Sequence, residues 1–154
     1  MNVACFGGPE EFRRLLPASV CRMERPEELE ERAWDLLAVT EDGGERLAGK
    51  PCRCRCGTLL LPGYQGELAM SRVETRRVIS YGLSSRDSLT LSSLEPGAVL
   101  CVQRALLRPD GSRIEPQEIP LPPLSLPPEA QLLAFGIRLL MGLPLSLSAD
   151  DLRR

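Results

Sequence analysis

Short apolar runs recur along this chain, each closed by Gly or Pro and followed by a stretch of helical character. Val3 to Phe6 ends in Gly7-Gly8-Pro9, Asp35 to Thr40 in Glu41-Asp42-Gly43-Gly44, Thr58 to Leu61 in Pro62-Gly63, and Arg77 to Tyr81 in Gly82. A continuous apolar run of this length reads as a strand buried on both faces, which is what a parallel sheet covered by helices requires. Ser19 to Met23 reads as a further strand. Glu10 to Leu16, Pro26 to Trp34 and Gly66 to Ser71 read as the helical connections. Pro26 suits a first helical turn, and the acids after it suit the positive end of a helix dipole.

Beyond Gly82 the pattern alternates instead of running. Leu89 to Leu91, Ala98 to Leu107 and Ser112 to Leu121 read as antiparallel strands, with Pro109-Asp110-Gly111 as the turn between the last two: Pro presets φ and Gly accepts a positive one. The run Pro122 to Pro128 excludes helix and central strand. Glu129 to Gly142 then reads as a helix that stops before Pro144. The expected fold is α/β: a single three-layer domain over residues 1–154, with a mainly parallel sheet of about five strands, an antiparallel hairpin extension over residues 89–121, and a C-terminal helix.

The length of 154 residues and 43% hydrophobic content suit one core of ordinary size. A net charge of -2, with acids and bases spread evenly, leaves no basic footprint for nucleic acid. His is absent, which removes the commonest general base and metal ligand, and Lys50 is the one Lys among 19 basic residues. The N-terminus lacks the basic start of a signal peptide. The most apolar stretch, Leu132 to Leu147, is interrupted by Arg138, Gly142 and Pro144, so no membrane span is expected. A cytoplasmic chain with reduced cysteines is the reading that follows.

Cys52-Arg53-Cys54-Arg55-Cys56 is the most conspicuous local feature. In an extended chain Cys52, Cys54 and Cys56 share one face, and adjacent Arg charge favours thiolates. The spacing is too short for ordinary zinc pairs and has no second pair. The run is therefore either a strand with small residues turned inward or a metal or redox site. Cys5, Cys21 and Cys101 lie in strand-like runs as small apolar residues.

Gly7 and Gly8 stand at the carboxyl end of the first strand, where doubly wound sheets bind ligands, but without a phosphate-loop motif. Ser84, Ser85, Arg86 and Asp87 follow the Arg77 to Tyr81 strand and form the best polar pocket candidate. Asp87 either caps a turn or touches a ligand. Tyr81 completes the candidate contacts. Glu27, Glu28, Glu30 and Glu31 read as a solvated helix face.

From Leu59 to Leu147 the order of elements resembles the later part of the central domain of Mur-type peptide ligases, the ATP-dependent amide-bond-forming family of cell-wall synthesis. The residues that carry this are Ser80-Tyr81-Gly82-Leu83, Asp87, the strands flanking Asp110-Gly111, Ile119-Pro120-Leu121 and Leu139-Leu140-Met141-Gly142-Leu143-Pro144. The family's Gly-Lys-Thr/Ser loop, its His-Asn pair and its metal ligands have no counterpart here. The resemblance therefore implies a shortened relative with the fold and without the catalytic apparatus. The expected function is a non-catalytic α/β accessory or binding module with no cofactor. It would act through a small-molecule ligand at the strand ends, through a protein partner, or as a homo-oligomer using the Leu-rich segment from Leu121 to Leu147. The alternative is an enzyme that uses the thiols of Cys52, Cys54 and Cys56.

Overall fold

A computed structural model describes residues 1–8, 10–49, 53–94 and 97–147. The first half alternates strands with short helices: β1 (Val3–Phe6), a 3-10 turn (Glu10–Leu15), β2 (Val20–Met23), α1 (Pro26–Leu29), β3 (Trp34–Val39), α2 (Glu41–Gly49), β4 (Cys54–Pro62), a second 3-10 turn (Gly63–Gln65), α3 (Leu68–Ser71) and β5 (Val73–Tyr81). The second half holds β6 (Leu89–Ser93), β7 (Val99–Val102), β8 (Leu106–Leu107), β9 (Arg113–Ile114), β10 (Gln117–Pro120) and α4 (Pro128–Leu140).

Eight strands form one sheet in the order β10-β7-β6-β5-β4-β3-β1-β2. From β2 through β5 every neighbour is parallel. β6 touches β5, also in parallel, at Tyr81↔Leu89 alone. β7 and β10 then pair antiparallel. The expected mixed sheet and C-terminal helix are therefore present. The strand order reverses at β1: β2 lies on one side and β3 on the other, which opens a crevice at the carboxyl ends of β1 and β3.

Successive strand residues point to opposite faces, and both faces are covered. Leu36, Leu60, Ile79 and Leu89 pack with Leu132, Leu133, Phe135 and Ile137 of α4. On the other face Phe6, Leu37, Leu59 and Leu61 pack with Leu29, Leu47 and Leu68 of α1, α2 and α3. This two-sided burial explains the continuous apolar runs. α4 sits close to the sheet at Gly136, where an added Cβ would lie 3.1 Å from Leu89 Cδ1. The Leu-rich C-terminal segment turns inward. Leu121, Leu132, Leu133, Leu139 and Leu140 are buried, and Leu124, Leu126, Leu145 and Leu147 pack against the same cluster.

Two local departures from expectation have clear causes. The helix expected from Pro26 to Trp34 ends at Leu29. Trp34 instead opens β3, buried, with its indole N–H donating to the Leu29 carbonyl at 3.0 Å. Glu41-Asp42-Gly43-Gly44, expected as a turn, is the first turn of α2. The Pro109-Asp110-Gly111 turn does join β8 to β9. Gly111 has φ of 90°, and Asp110 Oδ1 accepts the backbone N–H of Ser112 at 2.8 Å. Arg108 Nε ties this hairpin to the Leu139 carbonyl at 2.9 Å. Among the described residues no helix is long and apolar enough to cross a membrane.

Leu60→Ala should cost about 2–5 kcal/mol of unfolding free energy, because Leu60 lies fully buried under α4. Val78→Ala, at a side chain 48% exposed, should stay within about 0.5 kcal/mol. Chemical denaturation of both variants checks this, and equal losses would contradict the layer assignment.

Candidate functional site

The crevice is built by backbone approaching backbone. Gly7 and Gly8 leave β1 with φ of 89° and 104°, a region that favours glycine. A Cβ on Gly7 would overlap Thr40 Oγ1 and lie 2.8 Å from the Gly43 nitrogen. A Cβ on Gly43 would overlap the Phe6 carbonyl oxygen. The N-terminus of α2 therefore rests directly on the end of β1. Thr40 locks the junction: Oγ1 accepts the Gly43 N–H at 2.9 Å and donates to the Phe6 carbonyl at 3.2 Å. This is an N-cap bond of the usual kind. The Gly7 N–H is engaged too, donating to the Met23 carbonyl at 3.1 Å. Gly7 thus serves packing and pairing, whereas Gly8 reaches the crevice.

Two adjoining cavities occupy the strand ends. The larger, about 760 Å³, is lined by Gly8, Thr40, Glu41, Asp42, Tyr81 and Glu129, with apolar walls from Phe12, Leu126 and Leu133. The smaller, about 440 Å³, is lined by Gly63, Tyr64, Gly82, Ser84, Arg86 and Asp87. Glu41, Tyr81 and Glu129 border both. Both volumes lie in the range of small-molecule sites.

Tyr81 forms the buried floor. Its hydroxyl donates to the Val39 carbonyl at 2.8 Å, crossing from β5 to β3 beneath the cavities. Burial pushes its phenol far above the ordinary value, with Cys5 and Glu41 adding to it. Glu41 comes from the first turn of α2 and Glu129 from the first turn of α4, positions where a carboxylate is favoured by the helix dipole. Tyr64 stands 68% exposed at the mouth of the smaller cavity.

The loop after β5 is held by its own polar groups. Asp87 is buried, and its Oδ2 accepts the Ser84 N–H at 3.1 Å. The same carboxyl presses on Gly63 and Gly82: a Cβ on Gly63 would overlap Oδ1, and one on Gly82 would lie 2.5 Å from Oδ2. Ser84 Oγ accepts the Arg86 N–H at 3.2 Å. Gln103 Nε2 donates to the Asp87 carbonyl at 2.8 Å, and Arg104 Nη2 to the Arg86 carbonyl at 2.7 Å. Asp87 is therefore a turn cap that also borders a cavity. Ser84 and Arg86 line the smaller cavity; Ser85 is exposed and is not part of either lining.

The thiols sit elsewhere. Cys54 and Cys56 are buried on the face with α2 and α3, while Arg53 and Arg55 are exposed, so inward packing is their role. They pack in the same cluster as Leu59 and Leu61. Burial pushes the Cys56 thiol up to about 11, against a smaller opposing hydrogen bond with Thr75. The expected arginine-favoured thiolate is thus not formed at Cys56. Burial likewise raises Cys5 to about 12, against the opposing charge of Arg22. Cys52 lies outside the described residues. Among the described residues no group of His, Cys, Asp and Glu is arranged to hold a metal ion.

Of the residues singled out from sequence, Gly8, Tyr81, Ser84, Arg86 and Asp87 come together at the strand ends. Thr40, Glu41, Glu129, Tyr64 and Phe12 were not found by sequence reasoning. The signal for Thr40 and Glu41 was available, since they follow β3 as Gly7 follows β1.

Gly63→Ala should lower stability by about 1–3 kcal/mol through its collision with Asp87, and much less in an Asp87→Ser background. A double-mutant cycle in denaturant measures the coupling. Alkali supplies a second test. A thiol whose pKa is about 9.0 unfolded and about 11 to 12 folded loses no proton in the native state between these values, so the unfolded state gains. The thiols' contribution to stability should be flat below pH 9 and fall from pH 9 to pH 11, with a shallower slope in Cys56→Ala.

Compared with known proteins, the chain matches no family model, no curated protein and no solved structure.

Proposed function

We propose that this chain is a non-catalytic α/β binding module that takes a small-molecule ligand in the cleft at the carboxyl ends of β1, β3 and β5. The observation that carries the reading is the pair of adjoining cavities, about 760 and 440 Å³, joined at Glu41, Tyr81 and Glu129. The larger lies where the strand order reverses, the usual ligand position in open α/β sheets, and the smaller beyond the ends of β4 and β5.

The polar groups of the cleft support binding over chemistry. Thr40 Oγ1, Tyr81 Oη, Ser84 Oγ and the Asp87 carboxyl are each engaged with backbone groups of the chain itself. They stiffen the walls instead of forming a nucleophile–base pair of the kind covalent catalysis needs. Kinship with the central domain of Mur-type ligases belongs to the same proposal and rests on element order from Leu59 to Leu147. It concerns fold alone.

Ala130 borders the larger cavity, and Ala130→Trp would place an indole in it and obstruct the apolar wall. Titration with small aromatic fragments, followed by amide correlation NMR, should shift Gly8, Thr40, Gly82 and Ser84 in the wild type and leave them unmoved in Ala130→Trp. Responses confined to another face would sink the reading. Purified protein should show no ATP turnover, and turnover lost on Asp87→Ala would overturn the non-catalytic part.

A further inference from the structure

We propose that the cleft selects an organic cation: an amine or guanidinium head seated between Glu41 and Glu129, with a flat or aliphatic body against the apolar wall. This rests on the binding reading above and names the ligand class for that same site.

Shape and charge point the same way from different elements. The larger cavity has one wall of Phe12, Leu126 and Leu133, which takes an apolar body and has no use for a hydrated ion. Its lining carries Glu41 and Glu129, a third acid, Asp42, that is already paired with Arg46 at 3.0 Å, and no basic side chain among the described residues. Glu41 belongs to α2 and Glu129 to α4, so the two carboxylates border the cleft from separate elements. Both also border the smaller cavity, where the exposed ring of Tyr64 offers a face that attracts cations. The phenols register this field. Burial is the first cause of the raised Tyr64 and Tyr81 values, and the Glu41 and Glu129 carboxylates raise both further.

The same arrangement disfavours anions. Two helix N-termini at one cleft would ordinarily attract phosphate. Here each first turn already carries its own carboxylate, and the Gly7 amide that would face an anion donates to Met23 instead. Arg86 is the basic side chain in the two linings, and it borders the smaller cavity, whose lining also holds Glu41, Glu129 and Asp87.

The test uses three probes that share a 2-phenylethyl body and differ in the charge of the head group: 2-phenylethylamine, 2-phenylethanol and 3-phenylpropionate. Binding to the full chain is followed by amide NMR at low ionic strength, where exposed charges are least screened. The expected order is amine, then alcohol, then carboxylate. Glu41→Gln and Glu129→Gln should each weaken the amine about tenfold, the effect of one partly screened charge pair, and leave the alcohol unchanged. Glu74→Gln, at an exposed site on β5, should change neither. Circular dichroism confirms that each variant is folded. If all three probes bind alike at the cleft, or the carboxylate binds best, the charge selection is wrong while the binding site stands. If none shifts a cleft amide, both readings fall together.

Discussion

The contact between the start of α2 and the end of β1 sets the rest of the molecule. Gly43 rests on the Phe6 carbonyl with no side chain between them, and Thr40 bonds both partners. A larger residue at position 43 would push α2 away from the end of β1. The crevice at the strand reversal is therefore an outcome of backbone contact, in which side chains play the smaller part. Tyr81 completes it from below by joining β5 to the end of β3. Binding geometry and fold stability consequently share the same residues.

That sharing explains why the polar residues of the cleft look poor as catalysts. Asp87, Ser84 and Thr40 hold loops in place with hydrogen bonds of about 3 Å, typical of neutral backbone partners. What remains turned toward the cleft is charge, from Glu41 and Glu129, and apolar surface, while Asp42 pairs with Arg46. A rigid floor with an acidic, partly greasy opening is suited to holding a ligand whose chemistry happens elsewhere.

Much of the fold was legible because burial on two sides writes itself as apolar runs. Val3 to Phe6 and Asp35 to Thr40 announced β1 and β3 in this way, Arg77 to Tyr81 announced β5 although Val78 on it is exposed, and Pro109-Asp110-Gly111 announced its hairpin. α2 was not legible. Gly43 and Gly44 are poor helix formers, placed there by the close approach of Phe6 and Gln65, and tertiary contact overrode propensity. α1 was drawn too long because the acids from Glu27 to Glu31 suit a helix, while burial of Trp34 required a strand. In the cleft, Tyr81, Ser84 and Asp87 could be named because they follow one strand in sequence. Glu41, Glu129, Tyr64 and Phe12 come from four other segments, and only the parallel topology brings them together.

The central claim is that the strand-end cleft is an open, ligand-accepting site. A crystal structure of the chain soaked in a dense mixture of small amines and aromatics tests it most directly. The account predicts ordered density over Tyr81, between the Glu41 and Glu129 carboxylates. A cleft filled by the chain's own side chains, with fragments bound only on other faces, would contradict it.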